Sequence, residues 1–397
     1  MKVIMRLKLI MILRTHPHVL SWMYTLLRLF LNTCNIFVKK KNSILFTSYG
    51  GRQLSDSPYE LYKGILNEDA FKSFEIYWAF VDPDRFSIPV GEKIKIDTIE
   101  FFKVLLRSRI WISNTGIDRD IGISKKGRIS VETWHGSPIK KICGEENSGS
   151  VSNNFFQKRK IDKETIRCAQ SNYDLEIFAR VFNAESKCFL LSDLPRNDIL
   201  YKGVSYEKIV EIKRVIGLPI DKKIILYMPT FREYEVDDKG DLYIKPPIHL
   251  SKWEKLLAKD YILLIRAHYA VTKAMDFNNN DFVKNVSEYS DVNDLYLISD
   301  LLISDYSSAY FDYSILKRPM LCFAYDIEKY SEKRGMYMNI EETLPCSIDK
   351  TEEELLKHIV SLNYEKYSEL ASQFHEKYTP YAGNATQSVI DEIIHRM

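Results

Sequence analysis

Leu301-Leu302-Ile303-Ser304-Asp305-Tyr306-Ser307-Ser308 reads as a short apolar strand, a tight polar turn and the opening of a helix that runs to Lys317 and Pro319. A brief, near-continuous apolar run suits a strand covered on both faces, and such strands belong to parallel sheets with crossover helices. The turn brings together unpaired backbone N–H groups, two hydroxyls and the positive end of a helix dipole, which is a pocket for an anion. Simple N-capping by Asp305 or Ser307 would require only one such residue.

The same alternation extends in both directions. Strands are expected at Ile44–Ser48, Glu75–Phe80, Ile110–Asn114, Ile129–Thr133 and Cys188–Leu191. A second set lies at Lys223–Met228, Tyr261–Ala267, Leu301–Ser304 and Met320–Ala324. Helical spacing falls at Ser57–Leu66, Asp174–Phe182, Tyr206–Ile216, Ser308–Lys317, Glu352–Leu362 and Ala385–Arg396. The pattern predicts an α/β protein with two Rossmann-like parallel sheets facing a cleft, the ligands lying at the carboxyl ends of the strands. A Gly-bearing joint at Tyr201–Ser205 divides the chain into an N-terminal segment (1–42), two α/β domains (43–202 and 203–382) and a last helix (383–397).

Polar residues gather at the predicted strand ends. Trp134-His135-Gly136-Ser137-Pro138 follows one strand, and Gly136 permits a close backbone approach beside His135. A histidine there can take a proton from an attacking hydroxyl, or merely bond its own loop. Leu194-Pro195-Arg196-Asn197-Asp198 offers the Arg196 fork to a phosphate, or starts a helix with Asn197 or Asp198 as cap. Met228-Pro229-Thr230-Phe231-Arg232 leaves Thr230 and Arg232 for an anion once Pro229 stops the ladder. Arg266 and His268 end another strand, where buried polar groups need partners. By contrast His16, His249, His358, His375 and His395 read as solvated. With no G-x-G-x-x-G and no Walker lysine, a dinucleotide dehydrogenase or P-loop nucleotidase is disfavoured. A diphosphate held by the second half and a hydroxyl delivered from the first is the economical reading, a transferase.

Composition bounds the alternatives. With 397 residues, 45% apolar and 28% charged, the chain is globular and long enough for two domains. A net charge of +2 argues against a nucleic-acid binder that works by bulk charge. Six scattered cysteines without a C-x-x-C pair fit reduced thiols, not a disulfide framework or zinc site. The balance hides one asymmetry: Met1–Ser55 carries nine Lys and Arg residues and no acid. Arg6, Lys8, Arg14 and Arg28 interrupt any span, Pro17 breaks a single helix, and no cleavage site follows. Two short amphipathic stretches ending in Lys39-Lys40-Lys41 suit the headgroup layer of an anionic membrane, or a helix pair packed on the next domain.

Trp134-His135-Gly136-Ser137-Pro138-Ile139-Lys140 resembles the Trp-His-Gly-Thr-Pro-Leu-Lys signature of the CDP-glycerol glycerophosphotransferases, which build teichoic-acid and related capsular polyol-phosphate chains. Pro195–Asp198, Pro229–Arg232 and the block from Ser304 through Phe311-Asp312-Tyr313, Lys317-Arg318-Pro319 and Tyr325-Asp326 are similar in the same order. Asn114 and Ser55–Pro58 also correspond, with Ser57 where the family commonly has Asn; Cys346 stands where Gly is frequent. The resemblance implies a GT-B architecture, peripheral on the cytoplasmic face of a bacterial membrane. It implies a CDP-glycerol donor, a lipid-linked or capsular glycan acceptor, CMP as leaving group and no metal or cofactor. It further implies His135 as base, with His268, Ser307 and Ser308 on the diphosphate. Arg196, Thr230, Arg232 and Arg266 would assist, and Asp312 would hold the glycerol hydroxyls or orient its helix. Cys143–Asn154 resembles a mobile loop that covers the acceptor. CDP-ribitol as donor, a nucleotide-sugar glycosyltransferase and a membrane-docked scaffold without activity are the alternatives.

Overall fold

The computed structural model describes residues 17–119, 121–147, 161–232, 234–235, 246–267 and 279–397. The chain divides into two compact units. The first comprises Met1–Trp134, Glu164–Ile166 and Ile390–Met397, and the second His135–Lys163 and Arg167–Val389. By this division the second unit opens at His135, well ahead of the joint expected at Tyr201–Ser205. Within that unit, side chains at 137, 170, 174, 193, 196 and 197 share hydrogen bonds that reach Asp312.

The first unit runs α1 (Pro17–Phe37), β1 (Lys41–Thr47), α2 (Asp56–Ile65), β2 (Glu75–Phe80), β3 (Glu92–Lys95), α3 (Ile99–Arg107), β4 (Ser108–Ser113) and β5 (Ile129–Glu132). Its strands lie parallel in the order β3-β2-β1-β4-β5. Successive residues of β1 face opposite sides. Leu45 joins Trp111, Phe101 and Leu105 on the α3 side, while Phe46 stacks on Trp78 at 5.1 Å with Tyr62 of α2 edge-on at 5.6 Å. Among the described residues the N-terminal segment contains one helix, Pro17–Phe37; the rest of the expected pair of stretches falls on residues 1–16, outside the described residues. Leu31 is buried, and Asn32 and Asn35 donate to the carbonyls of Gly122 and Ser124. Trp22, Leu26, Leu29, Phe30, Ile36 and Phe37 remain exposed, from 61% to 82%. No described helix is long and apolar enough to cross a membrane.

The second unit contains β6 (Ile166–Ala169, its first residue assigned to the first unit), α4 (Asn172–Val181), β7 (Phe189–Leu191), α5 (Asp198–Lys202), α6 (Tyr206–Ile216), β8 (Lys223–Met228), α7 (Leu250–Leu257), β9 (Tyr261–Ile265) and β10 (Val283–Asn285). It continues through α8 (Val292–Ile298), β11 (Leu301–Ser304), α9 (Ala309–Ser314), β12 (Met320–Phe323), α10 (Ile327–Lys333), α11 (Ile340–Thr343), β13 (Ile348–Asp349), α12 (Glu352–Val360), α13 (Tyr364–Tyr378) and α14 (Ala385–His395). From Ile390 onward α14 belongs to the first unit. The sheet is parallel in the order β10-β9-β8-β11-β12-β13, and β6 pairs in parallel with β7. Because Ser304 registers with Met228, the polar turns after β11 and β8 emerge side by side. Phe311 of α9 packs on Phe374 and Tyr378 of α13 at 5.2 and 5.4 Å, fixing the back of the helix that follows the β11 turn.

Candidate active site

The turn after β11 is built by Asp305. One carboxylate oxygen accepts from the backbone N–H groups of Thr230 at 2.9 Å and Tyr306 at 2.7 Å; the other meets Arg232 Nη1 at 2.9 Å. Arg232 is fully buried and forks onto Asp326 at 3.0 and 2.8 Å, among the rings of Tyr306, Tyr325 and Tyr330. Its pKa is raised further by the two carboxylates, against the pull of burial. Arg232 therefore spends its donors inside the protein. Arg266 does likewise, bonding the carbonyls of Val286 at 3.2 Å and Tyr289 at 2.6 Å just beyond the end of β9. Thr230 differs: its Oγ1 is buried and has no hydrogen-bond partner among the described residues. Ser307 accepts from the Ala309 N–H at 3.2 Å, while Ser308 occupies the N-cap of α9 without a side-chain capping bond.

His135 follows Trp134, whose φ is +59°, and precedes Gly136, whose φ is +140°. A Cβ on Gly136 would come within 2.5 Å of Ser308 Oγ, so glycine is what lets this backbone lie on the first residue of the α9 turn. His135 and Ser308, far apart in sequence, thus lie on adjoining segments of the second unit. His268, the partner histidine expected from sequence, falls outside the described residues. Among the histidines read as solvated, His375 is instead buried, its Nδ1 2.7 Å from Thr379 Oγ1 and its pKa lowered by burial. His249 and His358 pair with Glu352 and Asp349. Of these, only the His249–Glu352 contact joins segments distant in the sequence.

Beneath the His135 loop lies a buried polar cluster that sequence reasoning missed in large part. Ser137 Oγ is 2.8 Å from both Gln170 Oε1 and Asp174 Oδ2. One hydroxyl has one proton for two acceptors, so an Asp174 that keeps its own proton completes the set. Burial pushes the Asp174 pKa up to about 7, and that of Asp193 to about 6. Asp193 accepts from Gln170, Asn197 and Tyr201. Asp312 accepts from Asn197 at 2.9 Å and Arg196 at 2.6 Å, and Arg196 also donates to the carbonyl of His135 at 3.0 Å. Arg196 and Asn197 are thus brought to the site, yet below it. Asp198 caps a different helix from the one it opens, accepting from Ala385 and Thr386 at the start of α14. The missed residues had a faint signal: Gln170 directly follows β6, but that strand, with Arg167 and Cys168 inside four residues, reads poorly.

Beyond Ile139 the chain is strapped to residues 334–337. Lys141 N donates to Gly335 O at 3.0 Å, Asn147 N to Arg334 O at 3.1 Å and Tyr337 N to Ile139 O at 2.8 Å. Arg334 returns a bond to Lys141 O at 2.9 Å. Exposed Cys143, at φ +54°, turns the strap. The covering loop expected at Cys143–Asn154 is pinned as far as Asn147, and the rest lies outside the described residues.

A family model described as CDP-glycerol:poly(glycerophosphate) glycerophosphotransferase matches residues 29–395. The chain is 34% identical over 371 residues to a teichoic acid poly(glycerol phosphate) polymerase of Staphylococcus epidermidis, covering 90% of this chain and 51% of that one. It is 31% identical to a teichoic acid glycerol-phosphate transferase of Staphylococcus aureus, covering 89% and 93%. The chain therefore spans about half the length of the first relative and nearly all of the second. Among solved structures, the wall teichoic acid polymerase TagF superposes with a TM-score of 0.81 at 30% identity, over 97% of this chain and 96% of that one. The fold is GT-B-like.

Proposed function

Because the chain belongs to the CDP-glycerol:poly(glycerophosphate) glycerophosphotransferase family, we propose that it moves glycerol phosphate from CDP-glycerol to a hydroxyl of a polyol-phosphate or lipid-linked glycan acceptor. The acceptor oxygen attacks the phosphorus bearing glycerol, the bridging P–O bond of the diphosphate breaks, and CMP leaves. His135 takes the hydroxyl proton. The single observation that carries this reading is the seating of Gly136 on Ser308, which brings the base-bearing loop beside the two serines that open the α9 turn. Ser307, Ser308 and the Thr230 hydroxyl, which has no partner among the described residues, meet the diphosphate, and fixed donors there offset charge as it develops. With Arg232 and Arg266 bonded internally, the serine and threonine hydroxyls are preferred over them as phosphate ligands. His268 completes the donor side in this reading.

Glycerol is the inferred donor polyol because both bacterial relatives are named for glycerol phosphate. The exposed apolar side chains of α1, flanked by Arg28 and Lys39, support a peripheral seat on the cytoplasmic face of an anionic membrane. Lys40 is less available, since its Nζ bonds Asn35 and the Leu106 carbonyl, and burial lowers its pKa to about 8. The test is incubation of the purified protein with CDP-glycerol or CDP-ribitol and a lipid-linked acceptor, measuring CMP release and product mass. Release from CDP-glycerol with a glycerol-phosphate mass gain is expected. Release from neither donor, or transfer of a sugar without phosphate, overturns the reading.

A further inference from the structure

We propose that the Arg196–Asp312 ion pair is the positioning device of the His135 loop, gripping its main chain from within the protein instead of meeting the donor. The proposal rests on the reading of His135 as the base.

Arg196 Nη2 lies 2.6 Å from Asp312 Oδ2 and 3.0 Å from the carbonyl oxygen of His135. Arg196 is 5% exposed and Asp312 2%, so neither is presented to an incoming nucleotide. Asp312 Oδ1 takes Asn197 Nδ2 at 2.9 Å and Gln170 Nε2 at 3.4 Å, so its carboxylate ties the end of β6 and the turn before α5 to α9. A buried ion pair gives little net stability for the desolvation it costs, and its best-attested use is to fix one arrangement over others. Here the arrangement is that of a loop with special backbone angles on either side of His135. The contact is to the carbonyl, so it fixes the main chain that carries the imidazole. On the far side Gly136 is pressed against Ser308. Asp312 lies one turn after Ser308 on the same helix, so a single residue sets both the anion-facing serine and the base. Proton transfer needs the base within hydrogen-bond reach of the attacking hydroxyl.

The experiment uses the full chain carrying Asp312→Asn or Arg196→Lys. In Asp312→Asn, kcat for CMP release from CDP-glycerol should fall about 100-fold, as small misplacements of a catalytic group do. KM and the calorimetric Kd for CDP-glycerol should stay within about threefold, since donor binding is not what the pair serves. Both bonds come from Nη2, and a lysine Nζ is one bond shorter in reach, so it strains to meet the carbonyl and Asp312 together and Arg196→Lys should be intermediate. Hydrogen exchange followed by mass spectrometry should show amides 134–139 opening about tenfold more readily while those of β8 and β11 are unchanged. That readout needs no turnover, so it distinguishes failure of the clamp from failure of the transferase reading. Unchanged exchange in a folded variant overturns the proposal, as does a raised Kd for CDP-glycerol with kcat intact. Should Asp312→Asn fail to fold, Arg196→Lys is judged by the same readouts.

Discussion

Arg232 and Asp326 meet fork to fork, Nε 3.0 Å from Oδ2 and Nη2 2.8 Å from Oδ1, with the remaining guanidinium nitrogen on Asp305. The pair joins the loop after β8 to the start of α10 and seats the polar turn after β11 between them. Replacing Arg232 with Met would strand two carboxylates in a ring-lined interior. The expected loss is about 3–5 kcal/mol, the usual cost of breaking one side of a buried pair. Urea unfolding followed by circular dichroism checks it; a loss below about 1 kcal/mol would return Arg232 to the list of substrate ligands.

His135→Ala should lower the rate of CMP release from CDP-glycerol by about 100- to 10,000-fold, the range for removing a general base. Binding of CDP-glycerol by calorimetry should be nearly unchanged. Full turnover in the variant would exclude His135 from the chemistry.

Gly136→Ala puts a Cβ 2.5 Å from Ser308 Oγ at a φ of +140°. Ser308 has to move, so turnover should fall while the fold survives with a loss of about 1–3 kcal/mol. The double variant Gly136→Ala/Ser308→Gly, which clears the overlap, should recover part of the rate in the same assay. No recovery would mean that backbone strain, not crowding, is what matters there.

Asp174 gives a pH signature. An acid whose folded pKa is raised to about 7 from 3.8 favours the fold while protonated. Its contribution is whole below its ordinary value and disappears as pH rises through about 7; Asp193, raised to about 6, adds the same sign. Asp174→Asn keeps the neutral shape and removes that loss. Wild-type stability from this source should decline between pH 5 and 8 by on the order of 2 kcal/mol more than in the variant. Parallel urea midpoints across the two pH values would refute the assignment.

For α1, Leu26→Ser with Phe30→Ser removes two exposed side chains and leaves Leu31, Asn32 and Asn35 in their contacts. Sedimentation with vesicles of phosphatidylglycerol should drop about tenfold or more, given roughly 1.5–3 kcal/mol for each large apolar side chain buried. Equal sedimentation of both proteins would leave the helix without a membrane role.

The strand Leu301–Ser304 and the helix Tyr206–Ile216 were legible to the residue, because their apolar periods are uninterrupted. The seating of Asp305, Ser307 and Ser308 in one turn was legible too, since strand, turn and helix are contiguous. Glu92–Lys95 was not, because a four-residue edge strand with three charged residues has no apolar run to show. Nor were Gln170, Asp174 and Asp193, whose partners are 142, 37 and 23 positions away along the chain. Arg196 shows the deeper limit. Residue type announces a cation that binds an oxyanion, and only the fold reveals that the oxyanion is Asp312.

The strap beyond Ile139 leaves the experimenter a handle. Cys168, Cys188, Cys322 and Cys346 are buried and Cys34 is half-covered, whereas Cys143 stands exposed at the bend. A maleimide dye would settle on that bend in the unaltered chain, a few residues from His135, and its emission would report arrival of nucleotide or acceptor in real time, with no engineered thiol.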